Sequence, residues 1–270
     1  MAMSATFAGM DAIPLEPVGL HEGTPLPAGE AGASLARVHA VLQQHLPTGE
    51  VAIYEAGGGA DSYLPAQLIR RGRVTVVDID PVQLANNGYA STRVEGDIQV
   101  QRFAAGSFDL VTTYNVIEHL PDVAAALQRF AEALKPGGLL LVGAPNPRSL
   151  SGFVTRVSPH WFHVWYYRRI RGHARAGHPG EPPFPVHYHP LVLPRRLKAY
   201  LEPLGFETLY ERVYESPRYA EMRQRLPLLA SLMDAATDLM NLALLGKVNV
   251  RHGDYHLILR KRAPSADQGA

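Results

Sequence analysis

Val51-Ala-Ile-Tyr-Glu55-Ala-Gly57-Gly58-Gly59-Ala-Asp61 is an apolar run of strand character that delivers one acid and then three glycines. Glycines in such a turn let the backbone approach a ligand closely, and the N-terminus of the helix that follows can face the ligand's negative end. A dinucleotide fingerprint would need glycine at the sixth position of Gly57-x-Gly59-x-x, where Ser62 stands, so a nicotinamide cofactor is disfavoured. Glycine turns alone are weak signals, and the residues around this one decide its meaning.

Short apolar runs at 51–56, 74–77, 108–114 and 138–144 alternate with helical patterns at 63–71, 82–88 and 123–134. That alternation predicts an α/β chain with crossover units: a doubly wound, mostly parallel sheet with helices on both faces. Upstream, Leu35, Val38, Val41, Leu42 and Leu46 recur at helical spacing, which predicts a helix over 35–46 capped by Ser34. Residues 1–33, rich in Pro and Gly, read as a flexible arm. They show no cationic start and no apolar core of a leader, so the expected location is cytoplasmic. Regularity fails over 146–190. It returns with a helix near 191–204, a strand over 206–213, a long helix over 218–245 and a last strand near 255–259, and the tail 263–270 is expected to be disordered. The stretch 226–248 is apolar, but Asp234 and Asp238 would each cost roughly 2.5–3.5 kcal/mol at a bilayer centre. It reads as a soluble helix with one wet edge.

Three further acidic motifs accompany the glycine turn. Val76-Val77-Asp78-Ile79-Asp80-Pro81 puts Asp78 at a strand's carboxyl edge, where a carboxylate can accept both hydroxyls of an unphosphorylated ribose. Asp80 before Pro81 reads as a helix N-cap. Glu95-Gly96-Asp97-Ile98 follows a third, short strand, and Tyr114-Asn115-Val-Ile-Glu118-His119-Leu120-Pro121-Asp122 follows a fourth. Leu134-Lys135-Pro136-Gly137-Gly138 turns into a buried strand. Over about residues 48–146, with a weaker echo at 197–213, these ordered motifs make the chain similar to the class I S-adenosylmethionine-dependent methyltransferases, above all to the small-molecule branch that includes quinone-biosynthesis and natural-product enzymes.

The resemblance implies a Rossmann-like, seven-stranded sheet whose final strand is antiparallel, a methyltransferase domain over 34–262, and S-adenosyl-L-methionine as cofactor. By the same resemblance Glu55, Gly57 and Gly59 border the methionine moiety, Asp78 holds the ribose, and Ile79 packs on the adenine. Asp97, with Ile98 beside it, accepts from the adenine amino group, and Asn115 lines the methionine end. Asp61 departs from the pattern where many members carry a third glycine, although a short acid there can cap the next helix. Asp78 and Asp97 read singly are ordinary surface acids at strand ends; their joint spacing favours binding.

Methyl transfer requires alignment, exclusion of water and, for a hydroxyl or amine acceptor, removal of a proton. His119 is the candidate catalytic base, because an imidazole with an unperturbed pKa near 6.5 suits that task. The competing reading is that Glu118-His119 starts a helix and orders the loop. Some relatives hold a divalent metal with Glu-x-x-Glu-His; Asn115 occupies the first of those positions, so no metal is expected. His187 and His189 could offer imidazoles to zinc, but an extended segment with two exposed rings is the simpler account.

The stretch 147–190 reads as a substrate lid inserted after the fifth strand, on the edge where such sheets open their ligand crevice. Trp161, Trp165, Tyr166 and His187 are its candidate substrate contacts, packing on an apolar or aromatic acceptor while the lid's arginines favour an acid group on it. A homodimer contact or a peripheral membrane patch would use the same aromatic and basic surface.

Composition bounds the alternatives. With 26 basic and 25 acidic residues the net charge is +1, so no global field draws the chain to nucleic acid or to an anionic membrane. Attraction would have to be local, and no acid lies between Glu132 and Glu181. The absence of cysteine excludes disulfides, thiolate metal sites and cysteine nucleophiles. Three functions stand: methyl transfer to a small-molecule acceptor, foremost an O-methylation of quinone-like or secondary metabolism; an RNA methyltransferase with salt-sensitive binding; and a cofactor-binding protein, for example a cyclase, that transfers no methyl group.

Overall fold

The computed structural model describes residues 29–170, 172–178, 183–187, 189–245 and 249–263. Most of the expected arm (1–28) and most of the expected tail (264–270) lie outside the described residues. Seven strands form one sheet: β1 (Val51–Ala56), β2 (Gly72–Asp78), β3 (Thr92–Glu95), β4 (Phe108–Tyr114), β5 (Leu134–Pro145), β6 (Phe206–Tyr214) and β7 (Asp254–Lys261). Their order is β3-β2-β1-β4-β5-β7-β6. The first five pair in parallel, and β7 runs antiparallel to both β5 and β6. This is the doubly wound, mostly parallel sheet that the alternation of patterns predicts.

The strands carry continuous apolar runs because both faces are covered. On one face α1 (Gly29–His45), α2 (Ala66–Arg71) and α3 (Pro81–Ala85) pack Leu35, Leu42, Leu68 and Leu84 against Ile53, Val74 and Leu110. On the other, α4 (Val123–Ala133) and α7 (Pro194–Leu201) set Leu127, Phe130 and Leu197 against Tyr54, Val111 and Tyr255. Each such side chain contributes roughly 1.5–3 kcal/mol by leaving water.

The connections place the site. From β1 the chain moves outward to β2 on one side, while β4 lies on the other, so the order reverses beside β1 and a crevice opens at the carboxyl ends of these strands. Because β7 is antiparallel, its first residue, Asp254, pairs with Pro145 at the end of β5 and with Tyr214 at the end of β6. The beginning of β7 and the exit of β6 therefore join the same edge.

Four local expectations need correction. Ser34 does not cap: α1 starts at Gly29, so residues 29–33 are helix rather than arm, and Ser34 is buried with its hydroxyl bonded to His256 and Tyr210. The helix after the glycine turn starts at Ala66, not 63, with Pro65 at its N-cap and no side-chain cap, so Asp61 caps nothing there. The irregular stretch after β5 contains two helices, α5 (Leu150–Val157) and α6 (His160–Arg169). The long helix near the carboxyl end is two, α8 (Pro217–Arg225) and α9 (Pro227–Ala243), divided where Leu226 precedes proline and takes φ −136, ψ 64. No helix among the described residues is long and apolar enough to cross a membrane.

Candidate active site

Glu55 ends β1 almost fully buried, with Ser62 Oγ donating to its Oε1 and Tyr89 OH to its Oε2, each at 2.5 Å. Burial pushes its carboxyl up to about 7, against the two hydroxyl donors that favour the ionised form. Both oxygens are engaged within the chain, so Glu55 shapes the glycine turn from behind.

Gly57 has φ +73, a conformation that side chains with a Cβ rarely adopt, and an added Cβ would lie 2.5 Å from Val116 Cγ2. Its N–H donates to Val77 O at 2.8 Å. Two residues on, the N–H of Gly59 donates to Asp78 Oδ2 at 2.9 Å, and Gly59 O accepts from Asn87 Nδ2 at 2.7 Å. The turn after β1 is thus tied to the end of β2 and to the segment beyond α3. Asp78 also accepts from the N–H of Asp80 through Oδ1 at 2.9 Å. Each of its oxygens keeps a second lone pair, so a diol can still donate to it. Asp80 caps α3 as the sequence suggests, accepting from Val82 and Gln83 N–H groups.

Ile79, next to Asp78, is 73% exposed and offers an apolar face at the edge. Asp97 is half-buried and receives the backbone N–H and the side-chain amide of Gln99. Ile98 is a correction: it belongs to the core, so it supports Asp97 from inside and offers no wall to a ligand. Asn115 takes φ 55, a left-handed conformation that asparagine tolerates better than most, and its N–H donates to Gly143 O at 2.8 Å. A diol acceptor, an open apolar face, a half-buried carboxylate acceptor and a glycine turn with no room for a Cβ at Gly57 together fit an adenosine-bearing cofactor.

His119 lies in the 3-10 turn Ile117–His119 after β4, under a strap formed by residues 183–187. Its Nδ1 is 2.7 Å from Pro185 O, Phe184 meets its ring edge to face, and the N–H of His187 donates to Glu118 O at 2.9 Å. A carbonyl only accepts, so Nδ1 carries the ring's proton and Nε2 has the free lone pair when the ring is neutral. Burial, helped by the positive charges of Arg218 and His187, lowers the pKa below 6.5, opposed by the Pro185 carbonyl. Glu118 Oε1 is 3.6 Å from Nε2. The Glu118 carboxyl is buried, its Oε2 has no hydrogen-bond partner, and burial pushes it up to about 7.

The far side of the crevice is aromatic. Tyr63, 45% exposed, stacks on Tyr114 with centroids 3.7 Å apart, and Tyr114 OH reaches His256 Nε2 at 2.5 Å. The substrate contacts expected on the lid are placed differently. Trp161 and Trp165 are 69% and 47% exposed on α6, and both rings meet Phe162 of the same helix. Tyr166 is half-buried, and His187 is exposed on the strap. Of the lid aromatics it is Tyr167 whose ring lies within reach of the charge of Arg218. The lid arginine Arg168 is turned back onto Ala176 O at 2.8 Å. His189 is no open ring either, since its Nδ1 accepts the N–H of Leu191. Among the described residues no three His, Asp or Glu side chains gather as a metal site.

Sequence reasoning missed Asn87, Tyr89, Tyr63 and Arg218. Tyr89 and Asn87 carry no motif of their own, and Arg218 meets its neighbours only through the β6–β7 crossover.

A model of the family described as methyltransferase domain matches residues 39–210. The ubiquinone biosynthesis O-methyltransferase of Xanthomonas campestris pv. campestris is 37% identical over 120 residues, 42% of this chain and 49% of that protein. The chain spans about half the length of the curated relatives it matches. Among solved structures, an S-adenosylmethionine-dependent methyltransferase from Methanosarcina mazei aligns with TM-score 0.52 at 16% identity, covering 83% of this chain and 98% of that one. Another from Archaeoglobus fulgidus gives 0.51 at 17%, covering 84% and 95%. With the family model spanning most of its length, the chain belongs to the methyltransferase domain family, in the class I S-adenosylmethionine-dependent group.

Proposed function

We propose that the protein is an S-adenosyl-L-methionine-dependent O-methyltransferase of a small-molecule acceptor. The observation that carries this reading is the turn at Gly57–Gly59, held open by a left-handed glycine and pinned to the carboxylate of Asp78. When bound, the cofactor supplies an electrophilic methyl group on a sulfonium. The chain's own part is binding, orientation and proton transfer. Asp78 holds the ribose diol, Ile79 and Asp97 hold the adenine, and Gly57 with Asn115 leaves room for the methionine end. The lid helices α5 and α6 and the strap over His119 exclude water from the crevice. His119 Nε2 takes the proton of the acceptor hydroxyl as that oxygen gains its methyl group. Glu118 Oε1, 3.6 Å away, stabilises the imidazolium so formed.

Incubation with methyl-labelled S-adenosyl-L-methionine and a panel of phenols and catechols tests the reading. Label is expected in an O-methylated product. Product without label would replace it with a cofactor-binding protein of another activity, and label in RNA alone would replace the acceptor class.

A further inference from the structure

Arg218 opens α8, two residues after buried Ser216 and directly beyond β6. Tyr63 from the turn after β1, Glu118 from the turn after β4, Tyr167 from α6 and Asp254 from the start of β7 all face its charge. Four separate elements thus bring groups toward a residue that is nevertheless exposed to solvent. The other arginines nearby are spent: Arg223 on Glu215 and Asp234, Arg225 on Ile170 O and Glu221. The Arg218 guanidinium forms no hydrogen bond or ion pair among the described residues, so its five N–H donors are unspent.

Resting on the acceptor reading above, we propose that Arg218 determines specificity by receiving a carboxylate carried on an aromatic ring, so that the acceptor class is an aromatic acid. A guanidinium matches a carboxylate through two parallel N–H···O bonds, and inside a crevice such a charge-assisted pair is stronger than in open water. Neither carboxyl facing Arg218 reaches ion-pair distance. Burial raises both Asp254 and Glu118 above the ordinary carboxylate range while the Arg218 charge pulls each back, and Asp254 also accepts from Ser216. Glu118 Oε2, buried and without a partner, is a second unspent polar atom of the same cluster. The aromatic half of the ligand has its counterpart in the exposed face of Tyr63, held flat by stacking on Tyr114 at an interplanar angle of 13°. A lone guanidinium with no lysine among the groups that face it suits one negative charge better than a phosphate.

The test is calorimetric titration of the full chain, with and without S-adenosylhomocysteine, using benzoate, 3,4-dihydroxybenzoate and the methyl ester of each. At least one acid is expected to bind about tenfold or more tightly than its own ester, the scale of a charge-assisted bidentate pair. Arg218→Gln is expected to abolish that preference without weakening ester binding, Arg218→Lys to retain part of it, and melting temperatures to establish that both variants fold. Acids and esters of equal affinity, or a preference that survives Arg218→Gln, would overturn the assignment. Failure to bind S-adenosylhomocysteine would instead sink the methyltransferase reading, while the acid-to-ester comparison made without it would still decide the role of Arg218.

Discussion

At Gly57 the left-handed backbone and the 2.5 Å approach of Val116 act together, so Gly57→Ala combines a strained φ with a collision. The variant is expected to lose about 1–3 kcal/mol of stability and most of its cofactor affinity, read by thermal unfolding and by calorimetry with S-adenosylhomocysteine. Retained affinity at wild-type stability would show that the turn tolerates a side chain and does not touch the ligand. Asp78 does two things, anchoring Gly59 N–H and leaving lone pairs for a diol, so Asp78→Ala should weaken cofactor binding by about 1–3 kcal/mol. Asp78→Asn, which can still accept from Gly59, should lose less; unchanged affinity in the alanine variant would remove the carboxylate from the site. His119→Asn keeps a donor for Pro185 O but has no Nε2. It is expected to lower kcat by about 10²–10⁴ with cofactor affinity preserved. Since burial lowers this imidazole's pKa, the acid limb of the rate profile should fall below 6.5, because the base works only when neutral. A variant as fast as the wild type would leave His119 as a part of the strap alone.

Elements were legible in the sequence where burial imposes a pattern. β1 and β4 have the bounds that their apolar runs give, because both faces of a central strand must be apolar. α5 and α6 were not legible, and the reason is physical: α5 has an apolar side but spans only eight residues, too few for its period to stand out, and α6 carries aromatic and basic residues all round with none of them buried. The break between α8 and α9 was written in Pro227, yet apolar residues on both sides of it read as one helix. Glu55, Asp78 and Asp97 could be found because each ends a strand or starts the turn after one, whereas Arg218 joins residues from 36 to 155 positions away and no local pattern marks such a meeting. The outward face of α9 carries Leu232 and Leu239 at 70% and 68% exposure. Replacing both with glutamine should change stability by no more than about 0.5 kcal/mol each, since little apolar area is withdrawn from a core. Ala230, buried on the opposite side against Leu226 and Tyr219, should not accept leucine without a fall in melting temperature. If the two exposed leucines prove as costly as Ala230, α9 is covered in solution by another surface.

For the molecule as a whole, three buried titratable groups join the helices and sheet on which stability depends, and they pull with pH in opposite directions. His256 on β7 is 1% exposed; its Nδ1 meets Ser34 Oγ of α1 at 2.8 Å and its Nε2 meets the hydroxyls of Tyr114 and Tyr214. A neutral ring donates on one side and accepts on the other; a protonated ring donates on both, the hydroxyls can turn to accept, and it is burial of the added charge that opposes protonation. Burial, with the charge of His39 adding to it, lowers this imidazole from 6.5 to about 4. The unfolded chain therefore takes up a proton before the folded one does. The stability His256 contributes is whole above 6.5 and is lost as pH falls from 6.5 toward 4. Glu55 and Glu118 run the other way, because burial raises each from 4.5 to about 7. Their contribution is whole below 4.5 and is lost as pH rises through 7. Each tenfold change in proton affinity is worth about 1.4 kcal/mol, so each group is expected to shift stability by about 3 kcal/mol across its window. Unfolding by denaturant at pH 4, 5.5, 7 and 8 separates them. Glu118→Gln should be more stable than the wild type at pH 8 and should lose that advantage at pH 4, because the amide never has to bury a charge. His256→Gln should flatten the wild-type decline between 6.5 and 4. A Glu118→Gln variant whose stability relative to wild type is the same at every pH would mean that the Glu118 carboxylate is fully compensated by Arg218 in the folded protein, and that the Arg218 charge is then not available to an acceptor.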